Sequence, residues 1–183
     1  TLSLYHMYGD GIYVMPNMHL KPEDTRNVDF GFEYGGFKMS YFYYDVNNLI
    51  EYQSNDYANS PGHSIIQGYE ESFAKRFGNI STSVDYQRID ARDAVKKPLI
   101  NRPSYVINSR FVYYVGDRLN VGISADYVGN RTDYDGASTG NYTLVGLTAN
   151  AQLTKHIVLY AKARNILNRY YHSIDGYNGY SAS

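Results

Sequence analysis

Apolar and polar residues alternate with a period of two along several long stretches of this chain. The alternation is clearest at residues 143–153 and 156–167, which only Thr154 and Lys155 separate. In the first stretch the residues of one face are apolar, and the other face carries Thr148, Asn150 and Gln152. A strand with this pattern presents one face to an apolar environment and the other to water.

The same alternation predicts about eight strands, which follow one another as hairpins. Their expected bounds are residues 25–34, 37–52, 64–76, 80–89, 104–115, 118–128, 143–153 and 156–167. Tight turns are expected between the strands of each hairpin, at Gly35-Gly36, Gly78-Asn79, Gly116-Asp117 and Thr154-Lys155. Longer connections are expected at residues 1–24, 53–62, 90–102, 129–141 and 168–183. The short turns therefore gather at one end of the sheet and the loops at the other.

This sorting of the connections is typical of outer-membrane β-barrels, whose strands cross the bilayer in about 9–11 tilted residues. A soluble β-sandwich is the alternative, but its strands are usually shorter, at about five or six residues. The sequence therefore predicts an all-β fold, an antiparallel up-and-down meander of about eight long strands. On the period alone, eight strands can also close a small barrel of their own.

The composition is rich in tyrosine and nearly balanced in charge. The 183 residues include 22 Tyr and 7 Phe, with no Trp and no Cys, and the formal net charge is −1. Tyrosine is common in strands and at membrane interfaces. The lack of Cys excludes disulfides and thiolate metal sites. The balanced charge gives no indication of a nucleic-acid partner.

No catalytic constellation is visible in the sequence. Serine and histidine occur without the spacing of a nucleophile elbow, and no glycine-rich loop precedes a predicted helix. We therefore expect no catalytic residue, no cofactor and no dedicated metal site. The loop carboxylates at Asp90 and Asp93, and at Asp133 and Asp135, fit no EF-hand and are interpreted as solvated charge. His156 is interpreted as an interface or lumen residue.

Five short motifs resemble the C-terminal half of the TonB-dependent outer-membrane receptors, in the order and at the spacing of that family. They are Asn17-Met18-His19-Leu20-Lys21-Pro22-Glu23, Val46-Asn47-Asn48-Leu49-Ile50, Gln67-Gly68-Tyr69-Glu70, Asn101-Arg102-Pro103 and Ala163-Arg164-Asn165-Ile166-Leu167-Asn168-Arg169-Tyr170-Tyr171. The chain departs from the family pattern at Met18, where proline is usual, and at Gln67, where lysine is usual. Residues 85–93 further resemble the vitamin B12 (cobalamin) branch.

The resemblance implies that the chain is part of a larger barrel. The family's transporters have a 22-stranded transmembrane β-barrel with a plugged lumen. Residues 1–183 contain no stretch that resembles the plug, the TonB-contacting segment or the aromatic-ended final strand. We therefore expect a C-terminal segment of the barrel, with the plug domain and the final strand absent.

The resemblance also implies partners and a location. The protein would lie in the outer membrane of a Gram-negative bacterium, in contact with its lipid. It would take up cobalamin, a ferric siderophore or haem as a small-molecule nutrient, and it would meet the TonB system through the absent plug.

Two sets of candidate functional residues follow from this interpretation. The ligand-binding set lies in the predicted loops and offers amphipathic or polarizable surface to a bulky, partly apolar nutrient: Tyr8, Tyr13, Met15, Met18, His19, Tyr57, Tyr134, Tyr142 and Tyr177. The second set lies on the polar faces of the strands and would line the lumen: Glu33, Glu70, Asn108, Arg110, Asp126, Asn150, Lys162 and Arg164. Packing between loops is the simpler interpretation of the first loop's His and Met residues, since their spacing matches no metal motif.

Two other functions stay open on the sequence. One is a complete eight-stranded outer-membrane barrel with a structural or adhesive role, which predicts that the tail of the chain pairs with the first strand. The other is a barrel-type outer-membrane enzyme, such as a lipase or protease, which requires a Ser/His or Asp/His pair at one rim. The receptor interpretation instead predicts that strands 25–34 and 156–167 do not pair with each other.

The receptor interpretation also predicts how the strands are oriented. One face of the sheet should hold Val28, Phe30, Phe32, Ile107, Phe111, Val121, Ile123, Leu147, Leu159 and Ala161. The opposite face should hold Glu33, Asn108, Asp126, Asn150, Lys162 and Arg164. Any mixing of these sets within one strand would contradict a barrel, because a slip of one residue inverts a strand.

Overall fold

The computed structural model describes residues 7–8, 14–53, 56–133, 136–174 and 177–178. These residues form twelve strands. The strands are β1 (Asp24–Tyr34), β2 (Phe37–Asn47), β3 (Ile50–Gln53), β4 (Asp56–Asn59), β5 (His63–Phe77), β6 (Ile80–Arg92), β7 (Tyr105–Val115), β8 (Leu119–Val128), β9 (Tyr142–Gln152), β10 (Val158–Ala163), β11 (His172–Ile174) and β12 (Tyr177–Asn178). Within the described ranges, no helix has the length and hydrophobicity needed to cross a membrane.

Eight of the strands form one antiparallel sheet in the order β1-β2-β5-β6-β7-β8-β9-β10. This order is the predicted meander, interrupted only by the short hairpin of β3 and β4. The sheet is open, because β1 and β10 lie at its two edges and do not pair with each other in the described part of the chain. The prediction of unpaired edges is therefore confirmed, and the closed eight-stranded barrel is wrong for these residues.

The cross-strand register separates the side chains into two faces. Directly opposed residues of an antiparallel pair lie on the same face. The register links Phe111 with Ile123 and then Leu147, and it links Glu33 with Lys38 on the other face. Followed across the whole sheet, it places all the predicted apolar residues on one side and the predicted polar residues on the other, except Arg164, which follows β10 and is not in the ladder. We call these the apolar face and the polar face.

Three of the four hairpins turn on glycines in the left-handed region. Gly35 and Gly36 have φ of 61° and 89°, which matches the turn that joins long antiparallel strands with the correct twist. Gly78 and Gly116 occupy the same region at the next two turns. The fourth turn, around Thr154, has no glycine, and the Thr154 hydroxyl instead accepts hydrogen bonds from the backbone N–H groups of His156 and Ile157.

Asparagine residues end two strands earlier than the sequence predicts. β2 stops at Asn47, not at residue 52, because Asn48 has φ of 56° and turns the chain out of the sheet. β10 stops at Ala163, not at residue 167, and Asn165 there has φ of 49°. The Asn165 amide also brackets Arg169 by accepting from its N–H and donating to its carbonyl oxygen. Short polar side chains tolerate this backbone region, and an alternation pattern does not reveal it.

Other strand bounds also differ from the prediction. β6 continues to Arg92, three residues beyond the expected end, since its pairing with β5 extends to the Ile65–Arg92 pair. The predicted loop at residues 53–62 contains β4, which pairs with β3. The predicted tail loop contains the short pair β11 and β12.

The buried hydrophobic core is small and lies on the polar face, where the sheet meets its loops. Val46 and Ala91 come from β2 and β6, and Leu49 and Leu99 come from the segments that follow these strands. The Leu99 N–H donates to the Ala91 carbonyl oxygen at 2.9 Å, which fixes the loop on the sheet. This core therefore joins the loops to one end of the sheet.

Gly68 is a position where any side chain should destabilise the sheet. A Cβ at this position would lie 1.9 Å from the Arg88 carbonyl oxygen and 2.8 Å from Cζ of Phe42. We expect Gly68→Ala to lower the free energy of unfolding by about 1–3 kcal/mol through overpacking. Urea unfolding of the folded protein measures this, with Ser72→Ala on the same strand and face as the control. Equal unfolding midpoints for the two variants would contradict the prediction.

Candidate functional site

The segment before β1 is anchored to the β3–β4 hairpin by side-chain hydrogen bonds. The Asn59 amide accepts from the Lys21 N–H and donates to the carbonyl oxygens of Lys21 and Asn48, at 2.8–2.9 Å. The Asn17 amide donates to the Tyr57 carbonyl oxygen at 2.8 Å. The Glu23 carboxylate accepts from the Ile50 N–H at 2.9 Å. These contacts give the Asn17–Glu23 motif a structural role, because they hold the loop at the end of the sheet.

The anchored segment presents three of the predicted ligand-binding residues to solvent. Met15 and Met18 are each 53% exposed, and His19 is also exposed. Leu20 is buried beside them. The backbone holds these side chains in place, since Met15 forms a parallel bridge with Asp56. A thioether and imidazole surface is thus displayed at the loop end of the sheet.

Tyr57 lies on β4, in the β3–β4 hairpin, and is half-buried. Its ring packs edge-on against Tyr52, with the ring centroids 5.4 Å apart. Because Asn17 bonds to the backbone of Tyr57, the aromatic pair and the exposed methionines belong to one loop assembly. The sequence did not indicate Tyr52, since it was assigned to a long β2 and not to a hairpin.

A second aromatic group surrounds Tyr142 at the start of β9. The rings of Tyr142 and Tyr171 lie 4.5 Å apart, and the Arg131 guanidinium lies 5.8 Å from the Tyr142 centroid. Arg131 is buried and donates to the His172 carbonyl oxygen. A cation stacked on an aromatic ring and bonded to a neighbouring backbone ties two loops together. The sequence analysis missed Arg131 and Tyr171, because their partners are distant in sequence.

The remaining ligand-binding candidates are less informative. Tyr8 is 55% exposed. Tyr13 and Tyr134 lie outside the described residues. The backbone of Tyr177 belongs to β12, and its side chain lies outside the described residues. The described candidates thus form two groups, one around Met15 and Tyr57 and one around Tyr142.

The polar face carries seven of the eight residues that were predicted to line a lumen, and Arg164, just after β10, borders the same concave space as Asp126 and Lys162. Small residues occupy the centre of this face, among them Gly31, Ser40, Ser72, Ser83, Gly122, Ser124 and Gly146. Concave spaces lie between the larger side chains. One of them, of about 670 Å³, is bordered by residues that include Glu33, Glu70 and Asn108. A second, of 410 Å³, is bordered by residues that include Asp126, Lys162 and Arg164.

The charges on the polar face have an uneven distribution. Acidic side chains dominate the half formed by β1 to β6: Asp29, Glu33, Glu70 and Asp85. Basic side chains dominate the other half, at Arg110 and Lys162 and, just after β10, at Arg164. Glu33 pairs with Lys38 at 3.0 Å, and the Asn150 amide donates to Asn120 at 3.0 Å. The face is therefore a hydrated polar wall whose ionic groups are partly paired with each other.

The loop carboxylates that were considered as cation ligands have partners within the protein. Asp90 pairs with Arg92 at 2.7 Å. One oxygen of Asp93 accepts from the N–H groups of Val95 and Lys97, which closes a turn. Asp133 is buried, and Asp135 lies outside the described residues. Within the described ranges, no three acidic, histidine or cysteine side chains gather as a metal site would require.

Asn59 is the residue on which the loop assembly most depends. We expect Asn59→Ala to release residues 17–23 from the hairpin, because three hydrogen bonds are lost and the Lys21 N–H is left without its acceptor. Hydrogen exchange should then become at least about fivefold faster at the Lys21 amide, as expected for roughly 1 kcal/mol of lost protection. Asn27→Ala, which removes an exposed asparagine of β1, is the control. Unchanged exchange at Lys21 would contradict the assignment.

Comparison with known proteins places this architecture among receptors. A family model described as "TonB dependent receptor-like, beta-barrel" matches residues 3–166. The vitamin B12 transporter BtuB of Vibrio cholerae serotype O1 is 29% identical over 188 aligned positions, which cover 96% of this chain. The chain spans 30% of the length of that relative.

Solved structures show the same fold. A variant of the ferric enterobactin receptor PfeA from Pseudomonas aeruginosa superposes with a TM-score of 0.74 at 17% identity, covering 92% of this chain and 31% of that one. The siderophore receptor PirA from Acinetobacter baumannii gives a TM-score of 0.73 at 19% identity, covering 92% and 32%. Since the open meander and its two faces agree with part of such a barrel, and the family match spans most of the sequence, this chain belongs to the β-barrel domain family of the TonB-dependent receptors.

Proposed function

We propose that this chain forms part of the wall of an outer-membrane receptor that takes up a scarce nutrient. The observation that carries the proposal is the exposed apolar face. Phe30 is 72% exposed and Val28 is 64% exposed in the middle of a paired strand. Soluble proteins rarely leave a contiguous apolar surface of this extent in water. If the apolar face contacts lipid and the polar face contacts water, no large apolar surface is exposed to water.

The strand dimensions support a position across the bilayer. The long strands β1, β2 and β5 to β9 span 10 to 15 residues each. About 9–11 tilted residues are enough to cross the hydrocarbon core. The outer membrane of a Gram-negative bacterium is the membrane in which β-barrels of this family are expected to work, so we assign the receptor to that location.

The loop end of the sheet is the proposed site of nutrient capture. Long connections carry function disproportionately, and here they hold both aromatic groups and the exposed methionines. Tyrosine and methionine offer amphipathic and polarizable surface for a bulky ligand. One relative is a vitamin B12 transporter, and the structural neighbours are siderophore receptors. We therefore propose cobalamin, a ferric siderophore or haem as the class of ligand.

The polar face is proposed to line the lumen, against a plug outside this sequence. Small central side chains allow close approach, and the acidic and basic halves provide complementary contacts for a charged domain surface. The energy for transport would come from the TonB system, acting through that plug. The relatives are transporters and receptors rather than enzymes, so we propose a binding and transport role without catalysis.

Leu147 tests the orientation of the wall. It projects from the apolar face of β9, between Ile123 and Ala163. We expect Leu147→Arg to cost roughly 2–4 kcal/mol in an intact receptor unfolded from phospholipid bilayers, because the charge enters hydrocarbon. Asn150→Arg, on the polar face of the same strand, should cost much less. Equal costs for the two variants would argue against lipid on the apolar face.

The exposed loop residues test the capture site. The triple variant Met15→Ser, Met18→Ser and His19→Ser should weaken nutrient uptake by the intact receptor at normal surface abundance, because the anchoring hydrogen bonds are left in place. Growth on limiting cobalamin, haem or ferric siderophore measures this and identifies the ligand. Lys155→Ser, at the opposite end of the sheet, is the control. Normal growth of the triple variant on all three sources would remove this loop from the site.

A further inference from the structure

One carboxylate interrupts the apolar face near the middle of β5. Glu71 lies directly opposite Met39 of β2 and Tyr86 of β6. Along its own strand, the next residues on the same face are Tyr69 towards the loops and Phe73 towards the turn. The register row through Glu71 and Tyr86 continues to Ile107 on β7 and to Tyr127 on β8. The carboxylate is therefore the one charged side chain in a row that runs from Phe32 on β1 to Thr143 on β9.

Glu71 is a mid-strand carboxylate of the apolar face, and its side chain has no hydrogen-bond or ion-pair partner among the described residues. Glu33 pairs with Lys38 at 3.0 Å, Asp45 with His63 at 2.6 Å and Asp90 with Arg92 at 2.7 Å. These three pairs are partly exposed and lie towards the ends of their strands. No hydrogen bond or ion pair within the described ranges reaches the Glu71 side chain.

The polar groups around Glu71 are engaged with each other. The Tyr41 hydroxyl donates to the Gln67 side chain at 3.1 Å. The rings of Tyr69 and Tyr86 lie 5.8 Å apart, and the Tyr86 hydroxyl interacts with Tyr69 and with Arg88. We define the outer patch as these residues together: Tyr41, Gln67, Tyr69, Glu71, Tyr86 and Arg88. Within the patch the one cation is directed to a tyrosine, and the carboxylate is left facing outwards.

Lipid is a poor neighbour for this carboxylate. A charge that faces hydrocarbon is costly, and such groups usually pair with protein or with water-filled space. A long basic side chain can extend to the membrane interface, and the ammonium group of Lys75, near the turn, lies 5.4 Å from the Phe77 ring. The side chain of glutamate is shorter, so Glu71 near mid-strand has less reach. A donor at its own depth would stabilise it.

We propose that the outer patch is a contact surface for a membrane-embedded protein partner that presents a lysine or arginine to Glu71. This proposal rests on the proposed function, in which the apolar face meets lipid. Charge complementarity selects the occupant. Lipid phosphates carry the same sign as Glu71. A second copy of this chain, paired patch to patch about a two-fold axis, would offer Glu71 only the patch's Arg88, which already interacts with the Tyr86 hydroxyl. A basic side chain on a different membrane protein supplies the missing donor in a charge-assisted hydrogen bond.

Cross-linking in the native outer membrane tests the proposal in the intact receptor. The photoreactive residue benzoylphenylalanine replaces Met39, beside Glu71, and in a control replaces Ile123 on the same face. We expect one discrete protein adduct from position 39 and none from position 123. Glu71→Leu should reduce the adduct about tenfold, as expected for the loss of one charge-assisted hydrogen bond. Glu70→Leu, on the polar face, should leave the adduct unchanged.

A charge exchange then identifies the contact. Glu71→Lys should abolish the adduct, and replacing the partner's basic residue at the cross-linked position with glutamate should restore it. Adducts with lipid only, adducts between two copies of the receptor, or an adduct insensitive to Glu71→Leu would each overturn the proposal. Membrane fractionation and uptake assays separate the hypothesis of a partner at the outer patch from the proposed receptor function. A receptor that inserts and transports but yields only lipid adducts refutes the patch alone, and a protein absent from the outer membrane refutes the proposed function as well.

Discussion

Backbone pairing in the antiparallel ladder is the interaction on which the rest of this structure depends. Each interior strand, from β2 to β9 in the main sheet, is paired on both sides, so its N–H and C=O groups are satisfied without help from side chains. This frees the side chains to differ completely between the faces. Backbone pairing also explains the order of a sheet with few buried side chains. The hydrophobic core at the loop end is small, and the ladder of hydrogen bonds determines the geometry elsewhere.

The sequence predicted the long strands, the turns and the two faces because each depends on local information. A period of two assigns every residue to a face, and Gly35-Gly36 or Gly116-Asp117 marks where the chain reverses. Strand ends were less predictable. Asn48 and Asn165 end β2 and β10 by adopting left-handed backbone, while β6 continues to Arg92 because β5 offers it further partners. These strand ends depend on the length of the adjacent strand or on the dihedral angle of one residue. The alternation of apolar and polar residues does not report either quantity.

The candidate site was only partly predictable for a different reason. Exposed methionine and tyrosine in loops can be recognised from residue type and position, and Met15 and Met18 are indeed exposed. The contacts that place them are tertiary. Asn59 bonds to Lys21 and Asn48, and Arg131 reaches Tyr142 and His172. Such contacts join segments that are distant in sequence, so a single sequence does not reveal them. The Asn17–Glu23 motif was recognised as a pattern, and the structure supplies its physical role as an anchor.

The small side chains at the centre of the polar face have a mechanical consequence. The serine and glycine positions leave gaps between longer side chains, such as Arg110, which lies between Ser83 and Ser124, and Glu70, which lies opposite Ser40. The hydrogen bonds of this surface can exchange with water one at a time. A domain that moved along this surface would exchange its polar contacts in small steps, because the gaps give side chains such as Glu70 and Arg110 room to change rotamer. The wall therefore combines a rigid backbone with polar contacts that can change one at a time.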